Sequence, residues 1–244
     1  MIKLFFCLLI FIASGSVWTP HFYGANQEKT LIFEDDFNRN ESVESKEELG
    51  NGWQTNSKSR AKGNKQADLR DSTLHIYRHQ VADHGVSVRH PIEFQDGRIE
   101  MKFKLENKGD SLGVNIADMK EKSVHAGHLF KVIVKRNQLE IADLKTGVMD
   151  LAIRTARKSG KELSESQKEQ LKGKSKKVPV KLNLNQWYEF AMQVTGESCE
   201  VWIDGQSHFK FSSPGIGHPT KQMLRLAIAK QVVIDDLKVY RIDQ

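Results

Sequence analysis

The feature that most constrains the fold is the alternation of apolar and polar residues with a period of two. The clearest run is GRIEMKFKLE, residues 97–106, in which Ile99, Met101 and Phe103 alternate with charged residues. This period places the apolar side chains on one face of a β-strand. Further short stretches repeat it, and turn residues separate them. The pattern predicts an all-β fold, an antiparallel β-sandwich of the jelly-roll type.

The first sixteen residues, MIKLFFCLLIFIASGS, are typical of a secretory signal peptide. Lys3 precedes an apolar run over 4–13, and small residues follow. The run is too short to span a bilayer, so we expect no stable membrane insertion after cleavage. The sequence therefore predicts a secreted or periplasmic protein, with a lead over 17–29 and a single domain over 30–244.

The two cysteines bear on how this domain is stabilised. Cleavage of the signal peptide removes Cys7, and Cys199 is then the only thiol. An intrachain disulfide is therefore excluded, and the hydrophobic core must stabilise the domain alone. We expect a monomer.

The positive charge of the chain is concentrated in one segment. Residues 154–181 contain ten basic and three acidic residues, whereas the whole chain has a net charge of +6. This local excess argues against a nucleic-acid surface over the whole fold. Ser164 with Gln167 forms a predicted capping box, so we expect one short helix within a basic insertion over 152–181.

Two histidines stand close together in KSVHAGHLFK. In a strand, His125 and His128 would point to opposite faces, and their rings could converge only if Gly127 forms a bulge. Three interpretations stay open: a two-histidine metal site, polar residues at the start of a strand, or a catalytic or sugar-contacting site. For a catalytic site, the sequence predicts His125 or His128 as general base, and Asp118 as its orienting partner or a second acid.

Other polar residues near strand ends suit a groove that binds a ligand through hydrogen bonds. His84 shares the parity of Val86 and Val88, so a place at the end of a buried face is the alternative for it. The predicted ligand-binding residues are Tyr77, Arg78, Asp83, His84, Asn115 and Lys120.

Several motifs resemble those of known families. IFEDDFNR, QWYEFAMQVTGESCEVWIDGQ and VVIDDLKVY resemble concanavalin A-like jelly rolls, which include laminin G-like modules and glycoside hydrolase family 16. ADHGVSVRH, VHAGHLFKV and SSPGIGHPTKQMLRLAIA are similar to secreted bacterial proteins related to the 3-keto-disaccharide hydrolase domain. The resemblance covers about residues 30–242 and implies carbohydrate processing. It also implies that the closing strand pairs with the opening one.

The chain departs from both patterns. Family 16 enzymes carry Glu, Asp and Glu alternating on one strand, and retaining hydrolysis needs two carboxyl groups about 5 Å apart. The only Glu-x-Asp here is Glu34 with Asp36, and Arg39 stands where the second Glu belongs. The Asn-Ser-Gly stretch expected for the keto-disaccharide group is also absent, and SLGVN occupies a similar place.

Two functions from different classes follow. The first is an exported carbohydrate-active or carbohydrate-binding protein, which is a glycosidase-like hydrolase if it is an enzyme. The second is a non-catalytic surface or matrix module that binds an acidic polymer through its lysine-rich insertion.

The resemblance to family 16 also implies a possible structural calcium, and we expect no other cofactor. Asp36 in the opening strand and Asp235 in the closing strand are its predicted ligands, because calcium prefers carboxylate and carbonyl oxygens. The alternative is that Lys238 or Arg241 compensates these acids without a metal.

Overall fold

The computed structural model describes residues 28–243, which form fifteen strands, three helices and one 3₁₀ turn. In chain order the strands are β1 (Lys29–Asp35), β2 (Gln54–Thr55), β3 (Ala67–Arg70), β4 (Thr73–Tyr77), β5 (Val86–Phe94), β6 (Gly97–Lys104), β7 (Ser111–Ala117), β8 (His128–Lys135), β9 (Gln138–Asp143), β10 (Ser175–Pro179), β11 (Trp187–Thr195), β12 (Ser198–Ile203), β13 (Gln206–Ser212), β14 (Lys221–Ile228) and β15 (Gln231–Ile242). The helices are α1 (Ser57–Arg60), α2 (Leu151–Lys158) and α3 (Glu165–Leu171), and the 3₁₀ turn is His125–Gly127.

The strands form two antiparallel sheets that pack face to face. The larger sheet has the order β13-β12-β11-β6-β15-β4-β3, and β1 also pairs with β15. The smaller sheet has the order β10-β9-β8-β7-β14-β5-β2. This arrangement confirms the antiparallel β-sandwich and jelly roll predicted from the period of two.

The core lies between the sheets and follows that period. Ile99, Met101 and Phe103 on β6 are buried, while the charged residues between them are half-buried on the outer face. Val88 on β5 and Leu226 on β14 meet them from the smaller sheet. β7 differs, because all seven of its residues are buried, including those that point away from the core.

The first and last strands pair with each other, as the resemblance implied. β1 pairs with β15, with Lys29 opposite Ile242 and Glu34 opposite Lys238. The predicted signal peptide and most of the lead lie outside the described residues. Cys199 is buried and is not part of a disulfide. Between residues 28 and 243, none of the helices has the length and apolarity that a bilayer crossing requires.

The basic insertion contains more structure than the one predicted helix. α3 begins at the predicted capping box, since Ser164 Oγ accepts from the Gln167 amide at 3.2 Å. A second helix, α2, precedes it and is capped by the Asp150 carboxylate. β10 follows and pairs with β9. The predicted helix is therefore confirmed as α3, and the insertion also contains α2 and the edge strand of the smaller sheet.

Candidate functional site

The outer face of the smaller sheet carries two neighbouring rows of side chains that run across its strands. Their neighbours along each strand, such as Val88, Leu226 and Val132, are fully buried in the core, so both rows point outward. Strand pairing defines the first row, which we call the basic row: Gln54, Arg89, Arg225, Asn115 and Lys131. The second row lies two residues along each strand: Ser87, Ala227, Gly113, Ile133, Glu140 and Lys177.

A tight turn brings His125 and His128 to this face together. Ala126 and Gly127 both have positive φ, 52° and 69°, which reverses the chain just before β8. A Cβ atom on Gly127 would lie 2.1 Å from the carbonyl oxygen of Asp118, so only glycine fits. The two imidazole centroids are 6.3 Å apart. The rings therefore converge, through this turn rather than through a bulge at Gly127; the bulge lies further on, where Leu129 is the extra residue of β8.

Arg225 lies at the centre of the basic row and is only 8% exposed. Its Nη2 donates to the Ala126 carbonyl and contacts Met119 Sδ, both at 2.9 Å. Its Nε lies 3.3 Å from Met223 Sδ. Its Nη1 lies 3.3 Å from His128 Nε2. Within residues 28–243 no carboxylate forms an ion pair with this guanidinium.

The charge of Arg225 is therefore uncompensated. Burial and the nearby Arg89 lower the pKa of Arg225, but a guanidinium stays protonated in proteins. A buried charge that has only neutral partners costs stability unless a ligand of opposite charge or strong polarity completes it. This arrangement is the strongest indication of a binding site on the face.

His128 is held in its neutral form beside this cation. Burial lowers its pKa to about 4, and Arg225, His125, Lys131 and Arg154 add to the shift. Its Nδ1 lies 3.0 Å from Asn115 Oδ1. Since that oxygen can only accept, Nδ1 carries the hydrogen and Nε2 carries the lone pair.

His125 lies at the exposed rim of the site. Burial first, then Arg154, Lys158 and Arg225, lower the pKa of His125. Both histidines are therefore largely neutral at neutral pH, and a neutral imidazole can accept a proton.

Asp118 does not orient either of these histidines. Its Oδ2 lies 3.1 Å from His218 Nε2 and also accepts from Thr220, while its Oδ1 accepts from the Lys120 amide at 2.7 Å. Burial raises the pKa of Asp118, but these hydrogen bonds outweigh it and the pKa is lowered. The link to the site is the backbone, since the Asp118 amide donates to the Gly127 carbonyl at 2.9 Å.

A polar network continues from Asp118 on the side away from the basic row. Lys145 Nζ lies 2.8 Å from His218 Nδ1 and 3.2 Å from Glu121 Oε2. Hydrogen bonds from Ser123, with help from Lys145, lower the pKa of Glu121 to about 2. This network holds the 118–123 loop, and with it the turn that carries both site histidines.

The predicted ligand-binding residues divide into two places. Asn115 lies in the basic row, and Lys120 is exposed next to Asp118. The other four, Tyr77, Arg78, Asp83 and His84, lie at the end of β4 and in the loop that follows it.

Contacts within that loop and with α1 account for Arg78 and Asp83. Arg78 donates to the Ala82 carbonyl at 2.7 Å, and Asp83 pairs with Arg60 at 3.5 Å. His84 is exposed, so it does not end a buried face. Within the described residues, no hydrogen bond or ion pair joins this loop to His128.

Asp36 and Asp235, the predicted calcium ligands, and the adjacent Asp35 have protein partners. Asp35 forms a bidentate pair with Arg39 and accepts from Trp53 Nε1 at 2.8 Å. Asp36 accepts from the Asn38 amide at 3.0 Å. Burial raises the pKa of Asp235, which favours its neutral form. The structural calcium stays a prediction, because these contacts do not test it.

The bases that compensate the neighbouring acids differ in part from those expected. Lys102 binds Asp236 at 2.6 Å, and Arg241 binds Asp243 at 2.8 Å. Lys238 lies opposite Glu34 in the ladder. Over the part of the chain that the structure describes, no cluster of three or more His, Cys, Asp or Glu residues is arranged to hold a metal ion.

Sequence reasoning missed Arg225 and His218. The run MLRLAIA does place Arg225 on the outward side of a strand, which was the available signal. Its neighbour His128 is far away in sequence, and strand alternation cannot say which outward residues meet. His218 lies in SSPGIGHPTKQMLRLAIA, a motif already noted for its resemblance.

Comparisons with solved structures show the same fold at low identity. The laminarinase catalytic domain from Thermotoga maritima has a TM-score of 0.55 at 15% identity, over 89% of this chain and 100% of that one. Porphyranase B from Zobellia galactanivorans has a TM-score of 0.57 at 12% identity, over 96% and 98%.

A third neighbour is longer than this chain. The GlcNAcα1-4Gal-releasing endo-β-galactosidase from Clostridium perfringens has a TM-score of 0.57 at 11% identity, over 87% of this chain. The chain spans 62% of that protein's length.

Family models give a closer assignment than these neighbours do. No curated protein matches the sequence. The model of the 3-keto-alpha-glucoside-1,2-lyase-like domain matches residues 37–239, a range that includes every strand of the smaller sheet and both site histidines. The chain therefore belongs to the 3-keto-alpha-glucoside-1,2-lyase-like domain family.

Proposed function

We propose that this protein is an exported enzyme that cleaves a 3-keto-glycoside by elimination on the outer face of the smaller sheet. The observation that carries the proposal is the neutral imidazole of His128 beside the uncompensated guanidinium of Arg225, 3.3 Å apart. The family to which the chain belongs bears the name of such a lyase. Export is supported by the predicted signal peptide over residues 1–16.

The elimination requires one base and one cation. In a 3-keto-glucoside the hydrogen on C2 is acidic, because the enolate formed by its removal is delocalised onto the C3 oxygen. His128 Nε2 takes this proton while the Arg225 guanidinium stabilises the oxygen. The C1–O bond then breaks, a C1=C2 double bond forms, and the proton passes to the departing oxygen.

Substrate binding also frees the base. In the present arrangement Arg225 Nη1 lies 3.3 Å from His128 Nε2 and 3.4 Å from His128 Nδ1, so the guanidinium lies against the imidazole. A ketone oxygen that accepts from Arg225 would take over this donor. The lone pair is then available for the C2 proton, while Asn115 fixes the tautomer through Nδ1.

Hydrolysis by paired carboxylates is less well supported. Glu140 is the one acid in the two rows, and it lies between Lys131 and Lys177 at 3.7 and 3.8 Å. A retaining glycosidase needs a second carboxyl about 5 Å away. The Glu34 and Asp36 pair lies at β1 in the other sheet.

The experiment uses an aryl 3-keto-α-glucoside and, as matched control, the same glucoside before oxidation at C3. We expect release of the aryl alcohol with a 2-hydroxy-3-keto-glucal as first product, and a slower reaction when C2 carries deuterium. His128→Asn, which keeps a polar side chain, should abolish turnover. Equal rates on both glucosides, or 3-ketoglucose with solvent oxygen at C1 as first product, would refute elimination.

A non-catalytic module that binds acidic polymer is the second candidate. The observation that favours it is the exposure of α3, which buries none of its residues. Assays of the wild type separate the two functions. Binding of acidic polymer without turnover of any keto-glycoside would leave only the second function.

A further inference from the structure

Positive charge exceeds negative charge in the two outward rows of the smaller sheet. Arg89, Arg225, Lys131 and Lys177 are the cations, and Glu140 is the acid, among the residues that define these rows. Glu140 is shared between two of the lysines. Arg89 has a neutral partner, Gln54 Oε1, at 3.2 Å. The face therefore keeps an excess of cations that protein acids do not neutralise.

The basic insertion contributes directly to this excess. β10 pairs with β9 so that Lys177 lies opposite Glu140, on the outward side. The adjacent Lys176 lies opposite the fully buried Ile141. Its Nζ instead contacts the Lys210 carbonyl at 3.4 Å, at the larger sheet. Lys177 therefore lies on the outward face of the smaller sheet, whereas Lys176 does not.

The cations are spread over the length of an oligosaccharide. Arg89 on β5 and Lys177 on β10 are separated by five strand spacings, which amounts to about 24 Å. Between them the second row carries no charge at Ser87, Ala227, Gly113 and Ile133. The outer cations therefore lie on both sides of Arg225, with Arg89 on one side and Lys131 and Lys177 on the other.

We propose that the glycan bound on this face is anionic, with carboxylate or sulfate groups on the units that flank the reacting sugar. Arg89 contacts the charge on one side of the reacting unit, and Lys131 and Lys177 contact charges on the other. Arg225 is reserved for the reacting oxygen. This inference rests on the proposed function only in using the same face, and it concerns binding rather than bond cleavage.

The test is calorimetric titration of the full chain with three probes. Oligogalacturonate carries carboxylates, oligosaccharides of a sulfated galactan carry sulfates, and laminari-oligosaccharides carry no charge. We expect at least one anionic probe to bind more tightly than the neutral one and to lose affinity at high ionic strength. Binding of the carboxylate probe alone, of the sulfate probe alone, or of both identifies the charged group.

Matched variants locate the contact. Lys177→Ala and Lys131→Ala should each raise the dissociation constant of the anionic probe about fivefold, because each removes one partly exposed charge contact. Lys176→Ala, one residue from Lys177, should leave it unchanged. Equal loss in Lys176→Ala and Lys177→Ala, or a neutral probe that binds as tightly as both anionic ones, would overturn the proposal.

The two proposals fail separately. His128→Asn should keep the affinity for the anionic probe while turnover is lost. Charge-dependent binding without turnover of any keto-glycoside would refute the elimination and leave the anionic ligand. Two results together would refute the anionic ligand and leave the elimination: turnover of a neutral keto-glycoside that Lys177→Ala does not change, and no binding of either anionic probe.

Discussion

The outer faces of the two sheets use charge in opposite ways. On the larger sheet each of the three cations of β6 has an acid close by: Arg98 binds Glu100, Lys102 binds Asp236 at 2.6 Å, and Lys104 binds Glu106 at 3.1 Å. Aromatic rings add to this, since Trp202 lies 4.9 Å from the Arg98 guanidinium. On the smaller sheet, by contrast, Arg225 has sulfur, carbonyl and imidazole partners.

The difference favours the smaller sheet as the face that binds a ligand. Such pairs of opposite charge satisfy one another and are worth at most about 1 kcal/mol each when exposed. The buried guanidinium of Arg225 has only neutral partners among the described residues, so it can still pair with a negatively charged or strongly polar group of a ligand. The larger sheet also has a depression lined by Arg98, Glu189 and Trp202, yet both of its cations, Arg98 and Lys102, are paired with acids. Unmatched charge therefore identifies the site better than surface shape does.

The largest effect that would test this comparison is the loss of Arg225. Arg225→Met removes the cation that lies 3.3 Å from His128 Nε2, so we expect kcat/KM on the keto-glycoside to fall about 100- to 1,000-fold. Arg225→Lys should recover part of the loss. Arg98→Met, the matched change on the larger sheet, should alter kcat/KM less than twofold. Similar losses in Arg98→Met and Arg225→Met would remove the distinction between the faces.

The second effect concerns the turn that brings the histidines to the smaller sheet. Gly127→Ala requires a Cβ atom 2.1 Å from the Asp118 carbonyl oxygen at a φ of 69°, so we expect a loss of about 3 to 4 kcal/mol in the free energy of unfolding. Gly173 has a similar φ of 66° but no atom within 4 Å of its added Cβ. Gly173→Ala should therefore cost only about 1 kcal/mol. Chemical denaturation measures both, and equal losses would refute the steric argument.

The third effect is a pH dependence of stability from His128. The unfolded imidazole has an ordinary pKa near 6.5, whereas burial and Arg225 lower the folded pKa to about 4. Between these values the unfolded chain binds more protons, so stability is complete above about pH 6.5 and is lost as the pH falls toward 4. The full loss is about 3 kcal/mol.

Denaturation at several pH values measures this dependence. His128→Asn should reduce the slope between pH 4 and 6.5, and the slope that remains comes from groups such as His75 and His90, whose pKa values burial also lowers. His84→Gln, a change in an exposed loop, is the matched control and should keep the wild-type slope. A curve for His128→Asn that overlays the wild type would show that His128 is not held neutral.

The fold was readable from the sequence, whereas the site was readable only in part. Alternation over residues 97–106 fixed β6 and its buried face, and the capping box fixed the start of α3, because both signals are local. The meeting of His128 with Arg225 depends on strand order and on the extra residue Leu129, neither of which leaves a local pattern. Ala126 adopts a positive φ without being glycine, so the turn that joins the histidines was also hidden.

The predicted roles of Asp118 and of the loop after β4 show the same limit. Closeness in sequence to His125 predicts a shared role for Asp118, but its carboxylate lies against His218, 100 residues away. Residue chemistry alone predicts Arg78, Asp83 and His84 as a site, and their side chains contact their own loop or α1. The type of a residue indicates which interactions its side chain can make, but only the tertiary structure shows which residues are its partners.

The strand supplied by the insertion has a consequence for how these molecules behave at high concentration. β10 forms an outer border of its sheet, and such borders offer unpaired backbone groups to which another chain can add. Its sequence, SKKVP, places exposed lysines and Pro179 there. Two chains that approached edge to edge would bring lysines together, and the proline has no amide hydrogen to donate. The strand that widens the face thus also protects the protein from self-association into extended sheets.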